Sequence, residues 1–164
     1  MNQLVHGRHS VGGSNYHLQF TPKYRRRVFE NARIREECRR LSYEVAEKLE
    51  IALECVEFGP DHAHLFVTGC KNHSVSRLAQ YFKGTTARYL RLNLWEEVKR
   101  YEWGDSFWSD GFFYESIGRV TAETVQFYIE QQQRKHWLHR DLDVIMPSHL
   151  SKPSGQAKLD QFLA

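Results

Sequence analysis

Residues 51–69 read IALECVEFGPDHAHLFVTG, and the fold turns on how this stretch is read. Its first half alternates, with Ile51, Leu53 and Cys55 against Ala52, Val56 and Phe58, the spacing of a strand. Gly59, Pro60 and Asp61 turn the chain, and HAHLFVTG supplies a second strand, so the stretch predicts a β-hairpin. Residues two apart on a strand share a side, so His62 and His64 project together. Their roots lie roughly 7 Å apart at about 3.3 Å of rise per residue. Ala63 points the other way, toward whatever helices cover the sheet. Three uses compete for the pair: a metal site, a catalytic base pair, or histidines that only hydrogen-bond. Two ligands are too few for a catalytic divalent ion, which needs a further protein group and open positions.

Working outward, NYHLQFTPKY places Tyr16, Leu18 and Phe20 on alternate positions of a strand that Pro22 ends. RRVF is expected to return as a short strand or extension. Asn31 caps a helix running to about Leu49, striped by Ile34, Cys38, Leu41, Val45 and Leu49. Ser74 starts a second helix to about Asn93, whose buried side is expected at Val75, Leu78, Phe82 and Tyr89. Gly84 in its middle costs about 1 kcal/mol relative to Ala, which close packing or the approach of a ligand would explain. The aromatic segment YEWGDSFWSDGFFYESIG contains a last strand, Phe112 to Ile117. Thr121 then caps a final helix, with Val120 and Val125 at the positions of a hydrophobic staple.

The order is strand, helix, strand, strand, helix, strand, helix. Its first six elements fit the split βαβ plan: an α+β, ferredoxin-like antiparallel sheet with both crossover helices on one face. The seventh is an added C-terminal helix. Residues 1–140 are expected to form one domain, and the Pro-, Ser- and Gly-rich residues 141–164 a flexible tail.

Composition narrows the classes. No run of 18 apolar residues occurs, so no membrane span is expected. MNQLVHGRHS lacks the apolar segment of a secretory signal, leaving a cytoplasmic protein as the default. Cys38, Cys55 and Cys70 form neither a metal knuckle nor a disulfide framework and read as buried thiols. The net charge of +3 is modest, but KYRRR at residues 23–27 concentrates it. Such a cluster attracts phosphates, although a solvated face also accounts for it.

The final helix carries QFYIEQQ, in which Tyr128 and Gln132 stand four apart and share a face. A tyrosine there can be core. Gln132 makes that less comfortable, because a buried amide needs partners. A phenol that reaches a substrate beside an amide oxygen that ligates an ion would complete what the histidine pair lacks.

At these residues the chain resembles the single-tyrosine HUH transposases, the TnpA-type enzymes of the smallest insertion sequences. The matching segments are YHLQFTPKYRRRVF, PDHAHLFV, SVSRLAQYFKGTTAR, FWSDGFFYESIG and TVQFYIEQQ, in the family's order over roughly residues 15–135. The resemblance implies the ferredoxin-like fold and a Mg²⁺ ion, with Mn²⁺ as a substitute. His62 and His64 match its metal ligands, Gln132 the third ligand and Tyr128 the nucleophile. The implied substrate is single-stranded DNA bearing hairpins, cut and rejoined through a 5′-phosphotyrosine link. The implied assembly is a homodimer in which the tyrosine helix can serve the partner's histidines. Residues Trp103 to Phe113 can build that interface or be ordinary core aromatics. DNA contacts are expected at Lys23, Arg25, Arg26, Arg27, Lys83 and Arg88. Asp61 can orient a ligating imidazole or cap its turn. The implied setting is a prokaryotic cytoplasm, beside the nucleoid. Other readings are a domesticated relative acting on repeated genomic palindromes, and a nonenzymatic binder of single-stranded nucleic acid on the same fold. A structural zinc site lacks a fourth ligand of the usual type.

The tail closes GQAKLDQFLA, where Gln156, Leu159, Phe162 and Leu163 have the spacing Q-x-x-L-x-x-F-L. This looks like the sliding-clamp binding peptides of replication and repair proteins, whose helical turn seats apolar anchors in a pocket. An amphipathic turn packed on its own domain has the same composition.

Overall fold

The structure, a computed structural model, describes residues 5–101, 104 and 106–118. A short hairpin, β1 (Val5–Gly7) and β2 (Ser10–Gly12), comes first; nothing in its sequence alternates, and it was not expected. Then follow β3 (Asn15–Phe20), α1 (Ala32–Lys48), β4 (Ala52–Gly59), β5 (His62–Thr68), α2 (Val75–Asn93), the single turn α3 (Trp95–Val98) and β6 (Phe113–Ile117). The main sheet has the order β4-β5-β3-β6 with every neighbouring pair antiparallel. This is the ferredoxin-like α+β plan, with β3 and β5 central.

The helices form where the caps say. Asn31 Oδ1 accepts from the backbone N–H of Arg33 and Ile34 at 3.0 and 3.2 Å. Two of the first turn's unpaired donors are thereby satisfied. Ser74 Oγ does the same for Arg77 N–H at 3.2 Å. At its far end α1 closes with Glu50 left-handed at φ 55°. There Ile51 N–H reaches Ala46 O and Glu50 N–H reaches Glu47 O, a Schellman pattern.

Both long helices lie on one face of the sheet. Ile34, Cys38, Val45, Leu78, Ala79, Phe82 and Leu90 pack with Leu18, Phe20, Val56, Ala63, Leu65 and Val67 in one core. Trp108 joins them and donates its indole N–H to Thr86 Oγ1 at 2.9 Å. Phe107 and Trp108 are buried there, so these two rings of the aromatic segment belong to the core.

Four expectations need correction. RRVF does not return as a strand: Val28–Glu30 is a 3₁₀ turn that buries Val28 and Phe29, with Phe29 N–H bonded to Pro60 O. On α2 the deeply buried position is Leu90, one step past Tyr89. Gly84 is exposed, and a Cβ there would meet nothing within 4 Å, so packing does not require glycine. On β4, Leu53 pairs with Val67 but Cys55 with Phe66, so Glu54 is an extra residue, a β-bulge. The bulge resets the alternation. Leu53 and Val56 both face the helices, whereas Cys55 and Glu57 lie opposite Phe66 and His64 on the other face.

Candidate active site

Directly paired residues of neighbouring strands share a face, so the register defines the side of the sheet away from α1 and α2. His62, His64 and Phe66 of β5 project there. β3 adds His17 and Gln19, and β6 adds Phe113 and Glu115. His17 is the cross-strand partner of both Phe66 and Glu115.

His62 begins β5 immediately after the Pro60–Asp61 turn and is 1% exposed. Its ring lies against the backbone of Gly59, its partner across the hairpin. A Cβ on residue 59 would stand 2.0 Å from His62 Cε1, so only glycine admits the ring in this position. His62 Nδ1 is 2.8 Å from Asp61 Oδ1. An ionised carboxylate only accepts, so Nδ1 carries the proton and Nε2 the lone pair. Asp61 Oδ2 in turn accepts from Arg25 Nε at 3.0 Å. Burial alone would raise the Asp61 carboxyl, but the hydrogen bonds from His62 and Arg25 hold it below the usual range. Burial also lowers the His62 imidazole, with Asp61 opposing, so the ring is neutral near pH 7.

His64, two residues on, is 5% exposed and meets a third imidazole. Its Nδ1 lies 2.9 Å from Nε2 of His17, a residue 1% exposed. His17 stacks on Phe66 with centroids 4.5 Å apart and planes 4° from parallel. Phe113 meets it edge-on. Burial pushes the His17 pKa down to about 4, which keeps it neutral. The His62 and His64 rings stand 4.8 Å apart and 79° from coplanar. Each Nδ1 is thus engaged by a different partner, Asp61 in one case and His17 in the other.

Among the described residues no group of three His, Cys, Asp or Glu is placed to hold an ion. Tyr128 and Gln132 lie outside the described residues, as do Thr121 with the final helix, the tail, and Gln156, Leu159, Phe162 and Leu163.

The basic candidates separate. Lys23, Arg25, Arg26 and Arg27 line one turn after β3, and Arg25 is tied to the histidine pair through Asp61. Arg27 pairs with Glu30 at 2.6 Å. Lys83 donates to the carbonyls of Ser109, Asp110 and Gly111 at 2.6–3.2 Å, so its ammonium fastens the segment before β6 to α2. Arg88 is exposed on α2.

Two parts of this geometry escaped the sequence reading. His17 sits out of phase with Tyr16, Leu18 and Phe20, which places it on the face away from the helices; only the register puts it against His64. Gly59 reads as an ordinary turn glycine until the His62 ring is seen on it.

A ferredoxin-like sheet with two imidazoles fixed side by side at the start of a central strand defines an HxH site on an α+β scaffold. The family model for IS200-like transposases matches residues 10–132, and the chain belongs to that family. The chain is 24% identical over 133 residues to the ISDra2 transposase TnpA of Deinococcus radiodurans, covering 81% of this chain and 94% of that one. It is 26% identical over 139 residues to the transposase for insertion sequence element IS200 of Salmonella typhimurium, covering 85% and 90%. Among solved structures it is similar to a candidate transposase from Deinococcus radiodurans R1, with a TM-score of 0.63 and 25% identity over 79% of this chain and 98% of that one. A REP-associated tyrosine transposase bound to a REP hairpin shares the fold, with a TM-score of 0.55 and 16% identity over 80% and 73% of the two chains. No helix among the described residues is long and apolar enough to cross a membrane.

Proposed function

We propose that this transposase cleaves and rejoins single-stranded DNA at insertion-sequence ends, with Tyr128 as nucleophile and a divalent ion held by His62, His64 and Gln132. The supporting observation is the pair of Nδ1 contacts, His62 to Asp61 and His64 to His17. Ligating imidazoles characteristically donate from their second nitrogen to an acceptor such as a carboxylate, which fixes tautomer and ring orientation, and Asp61 is such an acceptor for His62. Ligation then falls to the two Nε2 atoms. For His64 this requires Nδ1–H to donate to His17 Nε2, and a buried, neutral His17 can accept. The ion, Mg²⁺ or Mn²⁺, would offset charge developing on the scissile phosphate.

Tyr128 gives up its proton and attacks phosphorus. The bond to the 3′ oxygen breaks, that oxygen takes up a proton, and a 5′-phosphotyrosine link remains. A second 3′-OH attacks the link and releases the tyrosine. The link conserves the phosphodiester's energy, so rejoining needs no ATP. Asp61 and His17 orient the imidazoles, and Gly59 leaves room for one of them. Lys23, Arg25, Arg26, Arg27 and Arg88 would meet backbone phosphates. The same reading carries a homodimer, hairpin-bearing substrate ends, action in a prokaryotic cytoplasm, and a tail peptide that docks on a replication clamp.

The test is a denaturing gel after incubation with Mg²⁺ and labelled single-stranded DNA from the element's ends. A covalent adduct should form, and Tyr128→Phe should abolish it while DNA binding persists. An adduct that survives Tyr128→Phe refutes the nucleophile. No adduct under any divalent ion refutes the cleavage chemistry.

A further inference from the structure

We propose that Tyr24 is a stacking platform for an unpaired nucleobase, with Lys23 and Arg26 flanking it to meet the adjoining phosphates. The proposal rests on the single-stranded-DNA part of the function above and is independent of cleavage.

The backbone raises the question. Tyr24 and Arg25 are successive left-handed residues, with φ of 59° and 50°. Side chains disfavour that region, and bulky ones most. The turn is held from both sides. Pro22 bridges Trp108, Lys23 N–H donates to Phe107 O at 2.9 Å, and Arg25 N–H donates to Pro22 O at 2.9 Å. Three residues on, Val28 and Phe29 anchor it in the core. The outcome of this strained and fastened turn is a tyrosine 68% exposed to solvent. Tyr24 shares a small recess with Lys23, Arg26, Val28 and Phe107.

Tyr43, Tyr81 and Tyr114 are also exposed, but they occupy regular helices and a strand. Among the described residues, Tyr24 is the tyrosine whose exposure comes with a left-handed backbone. Strain of this kind concentrates where a side chain must be presented.

The surroundings name the ligand. Lys23 Nζ and Arg26 Cζ lie 5.9 and 6.0 Å from the ring centroid, at the outer limit of a cation–π contact. An exposed aromatic residue attended by two cations matches a base flanked by its phosphates. In a duplex the base faces are already stacked, so the fitting partner is an unpaired base. Arg25, the next residue, holds Asp61 and through it His62, so a strand on Tyr24 passes beside the candidate active site.

The experiment measures binding of the full chain to an oligothymidine of about 16 nucleotides, near the upper site size of a single-strand groove. Fluorescence anisotropy in EDTA excludes cleavage from the readout. Tyr24→Phe should bind within about 2-fold of the wild type. Tyr24→Leu should bind about 5- to 150-fold more weakly, the range expected for one lost stack. Its salt dependence should be unchanged, whereas Lys23→Gln should lower the slope by roughly 0.7, one phosphate's share. Tyr24→Gly, which relieves the left-handed strain, should raise the melting temperature and still lose binding. On an abasic oligonucleotide the wild type should fall to the level of Tyr24→Leu. Wild-type affinity in Tyr24→Leu or Tyr24→Gly overturns the proposal, as does an equal loss on the thymidine and abasic strands. Base-dependent binding without any covalent adduct would support the platform and refute cleavage alone.

Discussion

Along β5 the two faces of the sheet are insulated by different means. Ala63, Leu65 and Val67 enter an apolar layer under α1 and α2, where shape and area do the holding. His62 and His64 are buried as deeply, yet each has an imidazole nitrogen tied to a polar partner that fixes its orientation. The first face tolerates approximate replacements of similar volume. The second depends on atom-by-atom contacts and is where chemistry can be placed.

This contrast can be broken from the helix side first. Leu65→Ala should cost about 2–5 kcal/mol of stability, the range for a buried leucine. Urea unfolding measures it, and the folded fraction should retain its DNA affinity. The opposite face has a pH signature. His17 is held near a pKa of about 4 in the fold, against about 6.5 for a free histidine. The unfolded chain therefore binds the extra proton first. This stability is whole above about pH 6.5 and is lost as pH falls toward 4, by up to about 3 kcal/mol. Comparing wild type and His17→Gln between pH 7 and 4 isolates it, and equal slopes would contradict the assignment.

Gly59→Ala comes next. The added methyl meets the His62 ring, and overpacking of this kind costs about 1–3 kcal/mol. The His62–Asp61 contact should weaken with it, which histidine nitrogen NMR would register. The smallest effect belongs to the exposed side of α2. Gly84→Ala should stabilise by about 1 kcal/mol, because the site is open and alanine is the better helix former. If DNA approaches that glycine closely, the gain in melting temperature comes with weaker binding.

The same contrast explains what was legible beforehand. The helix face is written in local periodicity: the α1 stripe, the alternation of Leu18 with Phe20, and the caps Asn31 and Ser74 could be read within a turn or two of sequence. The HxH spacing could be read in the same way. The contacts that orient those histidines could not. His17 and His64 are 47 residues apart, and only the β3–β5 register brings them to hydrogen-bond distance. Glu54 shifts the β4 alternation by one residue, and nothing in ALECVEFG marks it as a bulge. Lys83 read as a phosphate contact because its charge is visible in sequence, whereas the three carbonyls that engage it are brought there by the fold.

The central claim is that His62 and His64 are held for ligation, not merely hydrogen-bonded in place. Electron-spin-echo spectroscopy of bound Mn²⁺ tests it most directly, because directly coordinated imidazole nitrogens modulate the echo. Wild-type protein should show nitrogen coupling that weakens in His62→Ala and in His64→Ala and vanishes in the double variant. Mn²⁺ bound with no nitrogen coupling, or binding unchanged in the double variant, would contradict it.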